Sequence, residues 1–420
     1  MMTLHRNVFD ILKGSSTYLA SAIISSVAPF LISLLVSRYL GKEALGIFSV
    51  CFALILAGVL VSDLGLNSFI VREFAGQQKP LNVNLQTLLI VRMGASLVTA
   101  LAIIAVTLFF ISSPDSQLLS TAAFGLIVLR SVAGALENVL KARLYRATYA
   151  AVTIGSSIVH VALVYSVLNA GHGIERVFLM MTGVEILKTV ILMWILRNEL
   201  TTPGKETLPT VKRLGALLQQ GLPFALIGVF TFVNDKAALF LLAAICGNAE
   251  AGIFSAADRF LIVGVLLDSS LFASALPVLS LFRERSHVDR VTKQTMVVVS
   301  IAAIVGTMVL FVGAPWLINL TFRYAESIGL LRILSLSLPA LLLGSVVRIA
   351  LFSMHEERRV AIAFGITSLI SILLNAMFIP FFRSAGAAAI TVIMEYGLAF
   401  AYGVFYFRCV RSVRSPITTM

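Results

Sequence analysis

Six basic residues, Arg92, Arg130, Lys188, Arg259, Arg332 and Arg348, and six acids, Asp63, Glu137, Glu185, Asp235, Asp268 and Glu395, stand inside otherwise apolar stretches. An ion held in hydrocarbon is costly, so charges in such places are retained for contact with a ligand, for ion movement or for internal pairing. Guanidinium forks bind anionic oxygens bidentately, which makes Arg130, Arg259 and Arg348 candidates for holding an anionic group. Arg92 and Arg332 join them from positions nearer the ends of their segments. A carboxylate in a cleft of low dielectric can load and release a proton or hold Na⁺, and Asp63, Asp268, Glu395 and Asp235 are candidates for that work. Glu185 and Lys188 lie three apart on one helical face and read as an internal ion pair. His160, alone on an apolar helix, reads as a hydrogen-bonded core residue rather than a ligand.

The elements that must position these groups are membrane spans. Hydrophobic residues make up 59% of the 420 and charged residues 12%, about half the charge of a soluble chain, and mean hydropathy is +0.98. Apolar runs of spanning length lie at 15–37, 45–70, 85–111, 117–140, 150–168 and 176–197, then at 214–234, 249–276, 295–319, 328–353, 360–382 and 385–407. Turn-rich connections such as Ser112-Ser113-Pro114-Asp115 and Ala170-Gly171-His172-Gly173 separate them. The expected fold is therefore all-α: about 12 transmembrane helices in two six-helix halves, 1–204 and 205–420, divided at a polar linker around Pro203-Gly204. Pro29, Pro223 and Pro277 fall inside spans and are candidate bends. Ala20-Ser21-Ala22 imitates a cleavage site, but no apolar segment precedes it, so the first span is expected to remain.

Net charge is +12. The basic residues gather in short connections, a pattern of leaflet orientation rather than of nucleic-acid binding. With the N-terminus inside, the cytoplasmic side holds 20 Lys and Arg and the opposite side 6, so both termini are expected to be cytoplasmic. Cys51, Cys246 and Cys409 have no metal-ligand spacing and read as small core residues. No nucleotide loop, metalloprotease motif, nucleophile elbow or Cys-x-x-Cys pair occurs, so neither an enzyme nor a resident cofactor is expected.

The halves repeat one another. Tyr39–Val50 aligns with Ile245–Ala256 at an offset of 206, with identities Gly41/Gly247, Gly46/Gly252, Ile47/Ile253, Phe48/Phe254 and Ser49/Ser255. Asp63 falls opposite Asp268, and Glu185 opposite Glu395. Six spans per copy give both copies the same topology, so a parallel pseudo-twofold repeat is expected.

The segment from Arg38 through Gly46-Ile-Phe-Ser49, then Asp63-Leu-Gly-Leu66 and Arg72-Glu73, resembles the N-terminal signature of the Wzx-type polysaccharide (O-antigen) flippases. Asn234-Asp235-Lys236, Gly252–Arg259 and Gly386-Ala-Ala-Ala389 continue the resemblance into the second half. It implies the fold of the multidrug/oligosaccharidyl-lipid/polysaccharide (MOP) exporter superfamily, two bundles around a central cavity. It implies a transporter that moves undecaprenyl-diphosphate-linked oligosaccharide from the cytoplasmic to the periplasmic leaflet by alternating access. On this reading the five arginines Arg130, Arg259, Arg348, Arg92 and Arg332 bind the substrate diphosphate. The coupling ion is H⁺ or Na⁺. The setting is the bilayer of a bacterial inner membrane, with a functional monomer and with polysaccharide polymerase and chain-length proteins as further partners. Two alternatives stand beside it. An ion-coupled multidrug or small-solute antiporter of the same superfamily would favour an apolar, acid-lined cavity. A membrane-embedded polymerase or ligase would need a large external loop, and the loops here are short.

Overall fold

A computed structural model describes residues 2–63, 67, 85–110, 114–201, 211–280 and 285–411, and these contain no β-strand. The long helices are α1 (Met2–Asp63), α2 (Leu85–Phe110), α3 (Pro114–Ala142), α4 (Arg146–Asn169), α5 (Ile174–Ile195) and α6 (Val211–Cys246). They continue with α7 (Asn248–Asp258), α8 (Ile262–Ser280), α9 (Arg285–Leu320), α10 (Glu326–Ser335), α11 (Leu338–Ser353) and α12 (Glu357–Arg411). A 3-10 turn, Arg259–Leu261, joins α7 to α8. Sequences this apolar must close every backbone hydrogen bond internally in lipid, and the helix does so within one segment.

Ten described stretches are long and apolar enough to cross a membrane, and two of them are too long for one crossing. Ile23–Asp63 has 41 residues and Glu357–Val410 has 54, about 62 and 81 Å at 1.5 Å per residue, against a hydrocarbon core of roughly 30 Å. Each contains one break, Gly41 (φ 85°, ψ −176°) in α1 and Arg383 (φ 48°, ψ −135°) in α12. The breaks convert two over-long helices into four spans, so the described residues supply twelve. Pro29, Pro223 and Pro277 do not interrupt their helices. The repeat explains the first break. Gly247, matched to Gly41, takes φ 89° and ψ 171°, a conformation essentially closed to residues with a Cβ.

The helices form two compact units, residues 1–40 with 51–225, and residues 41–50 with 226–420. The division expected at 204/205 lies outside the described residues, as do Arg72-Glu73 and Ser112-Ser113; contacts divide within α6 instead. In the first unit Leu88 of α2, Leu136 and Val139 of α3, Tyr149 of α4 and Leu192 of α5 share one core. In the second, Ile349 of α11 packs with Val360, Phe364, Leu398 and Tyr402 of α12. Such cores hold by close packing, because lipid tails are as apolar as the side chains themselves.

The outer face is legible on α9, where Val297, Val298, Ile301, Ile304, Val305, Met308 and Val312 are all exposed. Their i, i+3, i+4 spacing makes one continuous apolar stripe, suited to acyl chains. Trp194 at the end of α5 lies under the Arg197 guanidinium at 5.3 Å, a pairing typical of the membrane–water boundary.

Within the second unit, residues 41–50 lie against α7. Ser49 and Ser255 share a 2.6 Å hydrogen bond. A Cβ built on Gly46 would meet the Asn248 carbonyl oxygen at 1.8 Å, and one on Gly252 would meet the Lys42 carbonyl oxygen at 1.8 Å. The offset of 206 converts each contact into the other, so the repeated motif packs on its own copy with local twofold symmetry.

Candidate functional site

In the first unit every in-span charge with a described side chain has an opposite partner. Arg92 is 1% exposed; its Nη1 donates to Asp63, and its Nε donates to Ser131 Oγ at 2.8 Å and Ser131 O at 3.2 Å. Ser131 Oγ also meets Ser62 Oγ at 2.9 Å. The sequence reading puts Arg92 with the diphosphate-binding residues; in this structure it is enclosed and serves as an internal partner of Asp63. The physical reason is the cost of its charge, which only a neighbouring carboxylate offsets at this depth.

Arg130 is different. Its Nε donates to Glu185 Oε1 at 3.0 Å and its guanidinium lies 5.0 Å from the Phe52 ring centroid. Its side chain is 20% exposed, against 4% for that of Glu185. The carboxylate and the ring hold the guanidinium from one side, and its two terminal nitrogens have no protein partner among the described residues. Lys188 reaches Glu137 at 2.6 Å and Glu185 at 3.9 Å. The pair read from sequence spacing exists, but Lys188 sits closer to an acid on another helix. His160 Nε2 lies 3.3 Å from the Met181 carbonyl and is buried, as a core histidine should be.

The second unit gathers its charges around a cavity of about 160 Å³. Arg348 Nη2 donates to both Asp268 oxygens, at 2.6 and 2.9 Å, and Ser345 donates to the same carboxylate. Asp235 and Glu395 also line the cavity, and neither has a hydrogen-bond or ion-pair partner among the described residues. Asn234 Oδ1 and the Tyr402 hydroxyl, both on the lining, are buried without a partner. Lys236 points to Asp258 at 3.5 Å. Each helix reaches the cavity with a helical stripe: 231, 234 and 235 on α6, 341, 344, 345 and 348 on α11, and 395, 398, 399 and 402 on α12.

Three of the four acids chosen from sequence thus meet at one cavity together with Arg348. Asp63 is separate, bound to Arg92. Arg259 lies in the 3-10 turn with its Nε buried and unpartnered, outside the cavity lining. Arg332 is exposed on α10, its Nε donating to the Phe311 carbonyl at 3.3 Å and its guanidinium over the Phe311 ring. The sequence reading puts it with the diphosphate-binding arginines; here it lies outside the cavity lining, its charge extended along an apolar surface. Asn234 and Tyr402 were not singled out as site residues by sequence. Tyr402 lies seven residues beyond Glu395 on one helical face, which is the signal that could have found it.

The helical fold is shared with solved transporters of the MOP superfamily. An inward-facing multidrug-resistance MATE family transporter matches with a TM-score of 0.75 at 17% identity, over 93% of this chain and 95% of that one. The lipid II flippase MurJ in an inward closed conformation matches at 0.70 and 16% identity, over 97% and 88%. A MOP transporter from Pyrococcus furiosus, described by the reverse polarity of its binding pocket, matches at 0.66 and 16% identity, over 97% and 96%. No curated protein sequence matches the chain. The family model for polysaccharide biosynthesis proteins matches residues 11–283, and the chain belongs to that family.

Proposed function

We propose that this protein is a flippase that carries undecaprenyl-diphosphate-linked oligosaccharide repeat units, of O-antigen or a related polysaccharide, from the cytoplasmic to the periplasmic leaflet by alternating access. The observation that carries this reading is family membership over residues 11–283, joined to an Arg130 fork that is held from behind and open at its terminal nitrogens. A diphosphate needs such a fork, because paired N–H groups match paired phosphate oxygens. Arg348 and Arg259 are the further cations proposed for the head group. In this reading the protein works as a monomer in a bacterial inner membrane and delivers its cargo to polymerase and chain-length proteins. H⁺ or Na⁺ supplies the energy, and the acids proposed to carry it are Asp235 and Glu395, because they line the cavity without a direct ion-pair partner among the described residues.

Flipping of a lipid-linked oligosaccharide in proteoliposomes tests both parts. Arg130→Ala should weaken substrate binding roughly tenfold to a hundredfold, on the order of 1.4–3 kcal/mol. Arg130→Lys should keep the pairing with Glu185 and protein stability yet restore binding only in part, since a point charge lacks the fork. Full rescue by Lys would reduce Arg130 to a structural partner, and a well-folded Ala variant flipping at the wild-type rate would overturn the proposal. With an imposed H⁺ or Na⁺ gradient, Glu395→Gln should lose the gradient response; an unaltered response would free this acid from coupling.

Orientation is tested separately. In a variant lacking Cys51, Cys246 and Cys409, an impermeant maleimide added to intact cells should label Asp115→Cys and spare Lys205→Cys. Labelling at position 205 would reverse the proposed topology.

The second reading, an antiporter of small solutes, is favoured by one observation: the acidic cavity in the second unit. Loss of oligosaccharide flipping in Arg130→Ala would count against it.

A further inference from the structure

A proline inside a helix leaves one carbonyl without its donor, at a place that can be counted. Pro315 lies within α9; it has no N–H, so the carbonyl four residues before it, that of Phe311, loses its helical partner. Alongside, α10 runs antiparallel to α9. Thr307 donates to the Ser335 carbonyl at 3.3 Å, and one turn further along α9 the Arg332 Nε donates to the Phe311 carbonyl at 3.3 Å. Arg332 therefore supplies the hydrogen bond that Pro315 removes. Its guanidinium also lies 5.6 Å from the Phe311 ring centroid, so carbonyl and ring together fix the group.

What this anchoring leaves over is a charge. Arg332 is exposed, and its two terminal nitrogens and its charge have no protein partner among the described residues. Its surroundings are apolar: Met308 and Val312 flank Phe311 on the exposed stripe of α9, and Leu336, one turn after Arg332, is exposed as well. The length of the span gives the height of the group. Glu326–Ser353 has 28 residues, about 42 Å against a hydrocarbon core of roughly 30 Å. Centred, the span has about 6 Å outside the hydrocarbon at each end, and the Arg332 Cα lies about 9 Å from the Glu326 end. The backbone is thus just inside the hydrocarbon, and the long side chain reaches the phosphate layer. Trp316, exposed on α9 about a turn nearer the same end, is the residue type that marks this boundary.

We infer that Arg332, held by Phe311, is a binding site for the phosphate of an anionic membrane phospholipid whose acyl chains lie on the α9 stripe. Paired N–H groups suit paired phosphate oxygens. No carboxylate stands by to take a headgroup ammonium, so a lipid whose phosphate is not answered within its own headgroup is preferred. On the orientation proposed above this is the periplasmic leaflet. The site is outside the cavity lining and does not depend on the transport reading.

Purified protein in a mild detergent, titrated with phosphatidylglycerol, phosphatidylcholine of the same acyl chains and inorganic phosphate, provides the test. Melting temperature and native mass spectrometry report binding. Phosphatidylglycerol should raise the melting temperature and stay bound as a discrete adduct, and the other two probes should not. Arg332→Gln keeps an N–H donor for the Phe311 carbonyl, so its lipid-free melting temperature should match wild type. Its half-saturating phosphatidylglycerol concentration should rise about tenfold. Arg332→Ala should lose stability too, because the carbonyl is orphaned again. Adding Pro315→Ala, which returns the missing N–H, should restore that stability without restoring lipid binding. Arg176→Ala, which removes an exposed cation from α5, should leave lipid binding unchanged. Equal stabilisation by phosphatidylcholine or by inorganic phosphate would overturn the inference. So would wild-type phosphatidylglycerol affinity in Arg332→Gln, recovery of that affinity by Pro315→Ala, or an equal loss in Arg176→Ala. Arg332→Gln should bind lipid-linked sugar as wild type does; a tenfold loss would make the position a cargo contact and overturn its assignment to membrane phospholipid.

Discussion

A chain carrying Arg92→Met alone is expected to lose about 3–5 kcal/mol of stability, the range for breaking a buried ion pair from one side. The removed guanidinium leaves Asp63 as an uncompensated charge and leaves the Ser131 carbonyl and hydroxyl without their donor. Asp63→Asn should cost a similar amount, because Arg92, at 1% exposure, then has no counter-charge. The double variant, Arg92→Met with Asp63→Asn, should recover much of the loss, since neither charge remains to be solvated. Unfolding in detergent, followed by thermal melting and by urea where reversible, measures the cycle. A single variant costing under about 1 kcal/mol would remove the pair as the anchor between α1 and α2. Binding of lipid-linked sugar to the stable double variant should match wild type. A tenfold loss there would return Arg92 to the substrate site.

The same pair shows where reading the sequence succeeds and where it stops. Hydropathy located the spans, because apolar composition is a property of each segment on its own. The repeat located Gly41 and Gly247 as equivalent, and their shared dihedrals follow from a conformation that only glycine enters easily. Neighbours across helices were beyond it. Arg92 meets Asp63 from 29 residues away and Arg348 meets Asp268 from 80, and helical periodicity indicates a face without saying which helix opposes it. Lys188 illustrates the limit: spacing pointed to Glu185, three residues back, while Glu137 on α3 lies closer. Convergence of Asp235, Asp268, Glu395 and Arg348 on one cavity needed the packing of α6, α8, α11 and α12. Acids alone could be selected from sequence, not their company.

Alanine at either Gly46 or Gly252 is expected to destabilise the protein by about 1–3 kcal/mol, the cost of forcing atoms into a packed contact. The reason is geometric. Each new methyl would stand 1.8 Å from a backbone carbonyl oxygen, that of Asn248 or of Lys42. Neither obstacle is a flexible side chain able to turn away, so the two helices must separate by more than an ångström. Separation also breaks the 2.6 Å hydrogen bond between Ser49 and Ser255, three residues along each helix from the contact. Glycine at both places lets the Cα hydrogens face those oxygens, a close approach known from membrane helix pairs. The local twofold makes a sharper demand. Gly46→Ala and Gly252→Ala should cost nearly the same, because each reproduces the other's clash. The double variant should cost less than the two singles together, since the first methyl already holds the helices apart. Gly94→Ala and Gly134→Ala serve as controls. Both positions are helical with nothing within 4 Å of a built Cβ, and helix propensity should make them neutral or stabilising by up to about 1 kcal/mol. Melting temperatures of the five variants in one detergent decide the matter. Strictly additive costs at 46 and 252, or costs no larger than at 94 and 134, would show that the repeated motif does not hold the contact by backbone proximity.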